Sequence, residues 1–237
     1  MSKASNFDPA ANDTDGGYDV YQADLGSGAI RLVSATPQAA GRRQPATAGD
    51  QDSRAAVSTT GQFVVFESNT DNLVAGDTNA VYDAFRRDMS LAPGAAGAMV
   101  RVSVRFDGSQ ATGASTRPTV SGDGHLIAFA SNDARIVKGD TNSTRDVFVR
   151  DLSTATNTAV SVTSTGVTGS CGTTVAPAST GSTVSPYIRA GAPCIATRPE
   201  MSVAGDKILF VSGFTNLVPN DTNGVDDVFV RSYTPAP

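Results

Sequence analysis

The sequence predicts an all-β fold: a β-propeller of four-stranded antiparallel blades, two complete and two partial, forming an open arc or part of a larger propeller. Three observations lead there. An aspartate-rich phrase recurs four times: Asp-Thr-Asp-Gly-Gly-Tyr-Asp-Val-Tyr from Asp13, Asp-Thr-Asn-Ala-Val-Tyr-Asp-Ala-Phe from Asp77, Asp-Thr-Asn-Ser-Thr-Arg-Asp-Val-Phe from Asp140 and Asp-Thr-Asn-Gly-Val-Asp-Asp-Val-Phe from Asp221. Its starting aspartates lie 64, 63 and 81 residues apart, a period typical of repeat architectures whose units bury their apolar faces only against their neighbours. Short runs of β-branched and aromatic residues flank the phrase, and no segment carries the i, i+3, i+4, i+7 apolar stripe of a helix.

Taken in order, the elements of a unit number four. The first is a short segment after an arginine, at 54–58, 117–121 and 198–202. A tight turn follows, with Gly122-Asp123-Gly124 showing its chemistry best. The second is a buried strand, 62–68, 125–131 and 207–212, bounded by Gly and by Ser or Asn. The third follows the aspartate phrase, as at 146–152, where alternating apolar and polar residues suggest a half-exposed strand. The fourth is expected at 30–34, 100–104 and 159–162. Four such strands joined by turns make one propeller blade. The units run at about 13–53, 54–116, 117–197 and 198–237, and a loop inserted at 165–197 lengthens the third. The first unit holds only its third and fourth strands, near 18–24 and 29–34, and the last holds three. An arc of this kind leaves sheet edges unpaired, so the chain is expected to be cut from a larger propeller or, alternatively, to close against a second copy.

These residues also resemble a known family. The pattern Arg-Pro-x-(Val/Met)-Ser-x-x-Gly, an apolar strand ending Phe-x-Ser, and then Asp-Val-Phe-Val-Arg-Asp-Leu is similar to the WD40-like β-propeller repeat (PD40) of TolB-type proteins. The likeness spans roughly residues 13 to 233, leaving out the long loop. It implies a propeller fold and a binding or scaffold role, in a bacterial, extracytoplasmic setting; it implies no reaction.

Composition narrows the function classes. The 237 residues are 39% hydrophobic and 6% aromatic with no Trp, suiting a β protein built on small residues. A net charge of −5 lacks the basic stripe of a nucleic-acid binder, and no apolar run reaches the roughly 20 residues of a membrane helix. The first residues show no signal peptide; the truncated first unit favours a piece of a longer exported protein over a cytoplasmic one. Cys171 and Cys194 both fall in the inserted loop. Paired, they would close it with a disulfide that stabilises by roughly 3 kcal/mol; otherwise they are two thiols in a Gly/Ser/Thr/Pro-rich segment.

The candidate site residues are those that recur. Asp13, Asp77, Asp140 and Asp221 open the phrase; Asp15, Asn79, Asn142 and Asn223 follow; Asp19, Asp83, Asp146 and Asp227 close it. Three oxygen donors on one turn suit Ca²⁺, with carbonyls and water completing the shell and an affinity of about 10⁻⁴–10⁻³ M. The first copy, all acidic, is the best metal candidate, and Asp226 beside Asp227 makes the fourth the next. Equally, Asp and Asn cap turns through backbone N–H groups and need no metal. Arg54, Arg117 and Arg198 recur too: as a ring they could hold an anion, or each pairs with an acid or carbonyl of the next blade.

The catalytic inventory is thin. His125, the only histidine, opens a strand, and no Gly-x-Ser-x-Gly elbow, zinc spacing or phosphate-cradling loop occurs. The expected function is therefore a non-catalytic binding or scaffold module, calcium-stabilised at most, whose partner is another protein. Its rivals are a structural protein that self-assembles through open blade edges and the substrate-presenting domain of a larger enzyme.

Overall fold

The computed structural model describes residues 1–2, 6–8, 10, 18–36, 54–171 and 194–234. Asp13, Asp15 and the core of the insertion lie outside them. Among these residues thirteen strands form four antiparallel sheets in chain order. The first sheet pairs β1 (Tyr21–Ala23) with β2 (Ile30–Leu32). The second runs β3 (Ala55–Val57), β4 (Phe63–Ser68), β5 (Asp83–Asp88), β6 (Met99–Arg101). The third runs β7 (Ser115–Val120), β8 (Leu126–Ser131), β9 (Asp146–Asp151), β10 (Thr156–Ala159). The fourth holds β11 (Ala196–Met201), β12 (Lys207–Ser212) and β13 (Asp227–Ser232). Two whole blades and two partial ones result. No helix among the described residues is long and apolar enough to cross a membrane.

The Ser-x-x-Gly element of each repeat builds the turn between the first two strands of a blade. Gly61, Gly124 and Gly205 sit at φ of 75°, 79° and 73°, a region glycine reaches without Cβ strain. Each donates its N–H to the carbonyl of the serine three residues before, Ser58, Ser121 or Ser202. The serine hydroxyl then accepts the N–H of Phe63 (3.0 Å), Leu126 (3.0 Å) or Lys207 (3.1 Å). Three successive turns touch: Thr59 N–H donates to Gly122 O at 3.1 Å, and Gly122 N–H donates to Val203 O at 2.7 Å. Pro118 and Pro199 have no N–H for the ladder, and the register of β7 and β11 shifts beside each of them.

The blades stack face to face. Val20 and Val33 of the first meet Val64, Phe66 and Phe85 of the second. Val65, Ala84 and Val102 meet Ile127, Phe129 and Phe148 of the third. Val147, Val149 and Val160 meet Ile208 and Phe210 of the fourth. Cross-strand phenylalanine pairs fill the second, third and fourth blades, at ring separations of 5.8, 6.0 and 5.5 Å. Each fully buried side chain of this size contributes about 1.5–3 kcal/mol.

Three expectations need correction. β9 is buried along nearly its whole length rather than half-exposed, because its blade has neighbours on both faces. The fourth strand of the third unit is Thr156–Ala159, earlier than 159–162. The insertion also begins later than residue 165. Val162 bridges Thr168 as Val104 bridges Gln110 one unit earlier, so residues up to 170 belong to the repeat and the extra chain lies between the cysteines. Cys171 and Cys194 are disulfide-bonded, Cα atoms 5.9 Å apart, across the base of that segment.

Candidate functional site

The aspartates that close the phrase open the third strand at Asp83, Asp146 and Asp227, and Asp19 stands two residues before β1. In the second blade Asn79 Oδ1 accepts the N–H of Val81 (3.2 Å), closing an Asx turn. Asn79 Nδ2 donates to Asp83 Oδ2 (2.9 Å) and to Ala111 O (2.8 Å). The other oxygen of Asp83 accepts the Ser103 hydroxyl at 2.6 Å, and Ser103 Oγ accepts the N–H of Ala84 at 3.0 Å. Loop, third strand and the end of the fourth are thereby joined through one buried carboxylate.

The third blade repeats this atom for atom. Asn142 takes the N–H of Thr144 and donates to Asp146 and Gly169 O, both at 2.7 Å. Asp146 accepts Ser161 at 2.6 Å, and Ser161 accepts the N–H of Val147. In the first blade Ser34 donates to Asp19 at 2.8 Å and accepts the N–H of Val20. The fourth keeps the Asx turn and the Asn223–Asp227 bond at 2.9 Å; among the described residues no serine completes it.

The second and third copies differ in charge. Arg101 reaches Asp77 at 3.2 Å and Asp83 at 3.7 Å. In the same register place the third blade has Ala159, opposite Phe148 as Arg101 is opposite Phe85. Asp140 and Asp146 therefore share their corner without an arginine. Burial pushes Asp146 up to about 7 despite the Ser161 and Asn142 bonds, and Asp140 adds to the rise. Burial also raises Asp83, where Ser103, Asn79 and Arg101 pull back. Among the described residues no three acids, cysteines or histidines converge into a metal-holding group. A cation at Asp140 and Asp146 would require the Asn142 amide to turn its oxygen inward, giving up its bonds to Asp146 and Gly169.

Each of the three arginine residues has an acidic neighbour. Arg54, just before β3, lies 3.5 Å from Glu200 on β11, both well exposed. Arg117 and Arg198 occupy the bulges of β7 and β11 at φ of 57° and 55°. The Arg117 N–H donates to Glu67 of the preceding blade at 2.5 Å, while Arg198 faces the Asp226 carboxylate. His125 is exposed beside its turn, its N–H donating to Asp123 at 3.1 Å.

Sequence reasoning missed one acid. Asp133 accepts Arg105 Nη2 at 2.9 Å, the Thr112 N–H at 2.6 Å and the Arg135 N–H at 2.8 Å. Burial would raise it, but these bonds outweigh that and hold it down to about 2. Thr70 and Phe214 stand at this place in the other units, so no repeat betrayed it. The serine partners were equally unseen, although Val33-Ser34, Val102-Ser103 and Val160-Ser161 share a signature.

The sequence matches no protein-family model and no curated protein. Among solved structures the fold is similar to TolB from Acinetobacter baumannii, at 12% identity over 90% of this chain and 35% of that one, TM-score 0.45. It is also similar to the tricorn protease, at 12% identity over 83% of this chain and 13% of that one, TM-score 0.42. A protein assigned as TolB from Agrobacterium tumefaciens gives 14% identity, 93% and 68% coverage, and a TM-score of 0.43. The chain thus spans 35% and 13% of the length of the first two. The likeness is one of blade architecture and assigns no activity to this chain.

Proposed function

We propose that this chain is a non-catalytic, protein-binding module of the propeller type that works outside the cytoplasm. One observation supports this above the rest: the last blade presents a face that its predecessors bury. Val147 and Val149 are fully buried against the fourth blade, whereas their counterparts Val228 and Val230 are 65% and 64% exposed, beside the exposed Leu209. An apolar face of this kind is suited to being covered, by a further blade or by a partner. The aspartates that close the phrase in the first three blades hold serines, which fits a scaffold better than acid–base chemistry. The Cys171–Cys194 bond suits an oxidising compartment. Calcium belongs to the proposal as a weak stabiliser of the third loop, at Asp140 and Asp146, where no arginine offsets the two carboxylates.

Sedimentation velocity from micromolar to tens of micromolar chain separates this reading from a self-assembling structural protein. A monomer throughout is expected. Growth in size with concentration, reversed by Val228→Lys, would make the face an adhesive between copies and overturn the module reading.

A further inference from the structure

We infer that the groove along the outer edge of β10 is a docking site for an extended acidic segment of a partner protein, whose aspartate takes the N–H of Ala159. The inference rests on the module reading above and names the chemistry of what the module takes.

β10 is the outermost strand of a complete blade that has a blade on either side. Val160 donates its N–H inward to Val147 O at 2.8 Å. Asn157 and Ala159, opposite Arg150 and Phe148, therefore turn their N–H and C=O groups outward. Among the described residues no strand pairs with that edge. A groove of about 630 Å³ runs along it, between a hairpin closed by the Val104–Gln110 bridge and one closed by the Val162–Thr168 bridge. The Asn157 amide fixes the floor, donating to Val104 O and Ile136 O, both at 2.8 Å.

The first blade shows what such an edge accepts. Val33 donates inward to Val20 O, so Leu32 turns its N–H outward as Ala159 does, and each stands just before a Val-Ser pair. Asp8 Oδ2 accepts the Leu32 N–H at 2.8 Å, while the Phe7 ring packs edge-on against Tyr21, centroids 5.5 Å apart. Charge in the groove of the third blade suits the same kind of guest. Its lining holds two cations, Lys138 and Arg231, and among the described residues no acid, on a chain whose net charge is −5. Arg231 is anchored through Nη1 to Val162 O at 3.2 Å. Lys138 is exposed, its Nζ 5.3 Å from the ring centroid of the exposed Phe106. Asp107, next in sequence to Phe106, is engaged by Arg135 at 2.9 Å. A guest aspartate would take the N–H of Ala159 beside Lys138, with its backbone left to pair with Asn157 and an apolar neighbour set against Phe106. The sheet edge supplies affinity, and the carboxylate with its charge-assisted bond supplies selectivity.

The test titrates the full chain into an end-blocked peptide carrying an uncharged dye, Ala-Ser-Asn-Phe-Asp-Pro-Ala, copied from residues 4–10. Saturable binding is expected, weakened about tenfold or more when the peptide aspartate becomes asparagine, because a charge-assisted hydrogen bond becomes a neutral one. Lys138→Glu should weaken the aspartate peptide by a similar factor and leave the asparagine peptide nearly unchanged, which places the guest in this groove and not at Leu32. Because the two peptides are compared on the unaltered chain, that comparison does not depend on how the variant folds. Absence of saturation up to millimolar chain overturns the site. So does equal affinity for the two peptides, or an aspartate peptide indifferent to Lys138→Glu. A dimer that Lys138→Glu converts to monomer overturns it too, because a second copy then fills the groove. A peptide that fails against a chain sedimenting as a monomer leaves the module reading standing, whereas concentration-dependent growth reversed by Val228→Lys removes that reading itself.

Discussion

Asp146 is a carboxylate that the fold both needs and penalises. It ties the loop and the fourth strand to the third, yet burial drives its proton affinity up to about 7. A carboxyl raised in the folded state takes up a proton that the unfolded chain releases. Its contribution to stability is therefore fully present below about pH 4 and is lost as pH rises through about 7. Taken alone, the shift sets an upper bound of about 4 kcal/mol on that loss. Asp133, held down to about 2, works in the opposite direction and only in acid, so it does not move between pH 5 and 8. We expect the parent chain to have a lower urea midpoint at pH 8 than at pH 5, and Asp146→Asn to shrink that drop by at least about 1 kcal/mol. A variant as pH-sensitive as its parent would mean that Asp146 ionises in the folded chain as it does in water. The aspartates were legible in the sequence because they recur. Their serine partners were not, because a hydroxyl some 15 to 20 residues away leaves no local pattern.

The strands are what sequence reasoning recovers best, since apolar runs of six between glycine and serine leave little choice but a buried strand. It fails where a neighbour or a length change decides. The alternation in β9 reads as half-exposed, but the fourth blade covers the outward face. The start of the insertion is hidden because the connection between β5 and β6 is longer than that between β9 and β10, which offsets part of the added chain. The aspartate loops divide along similar lines. The second is neutralised from within by Arg101, while the third has Ala159 in that place, an exchange on the strand after the one the phrase opens. Calcium should then act on the third loop. The parent is expected to melt higher in millimolar calcium than in chelator, because a ligand at 100 times its Kd adds about 2.7 kcal/mol. Asp140→Asn should remove the difference. Superimposed melting curves for the parent would return these aspartates to hydrogen bonding alone.

At the scale of the whole molecule, the same residue position has two fates. Val147 and Val228 both follow the aspartate that closes the phrase, both sit on the third strand, and both stand opposite an apolar residue of the second. Only the presence of a following blade separates them: Val147 is fully buried and Val228 is 65% exposed. Repeat architectures are stable through such nearest-neighbour interfaces, so the cost of a charge should follow the neighbour and not the sequence around it. Val147→Lys places an unpaired ammonium between two blades and should cost several kcal/mol or prevent folding. Val228→Lys puts the same group in water and should stay within about 0.5 kcal/mol of the parent. Chemical denaturation of the two variants side by side measures the interface directly. If Val228→Lys proved as damaging as Val147→Lys, the last face would already be covered in solution, and the binding surface would have to be sought on another part of the arc.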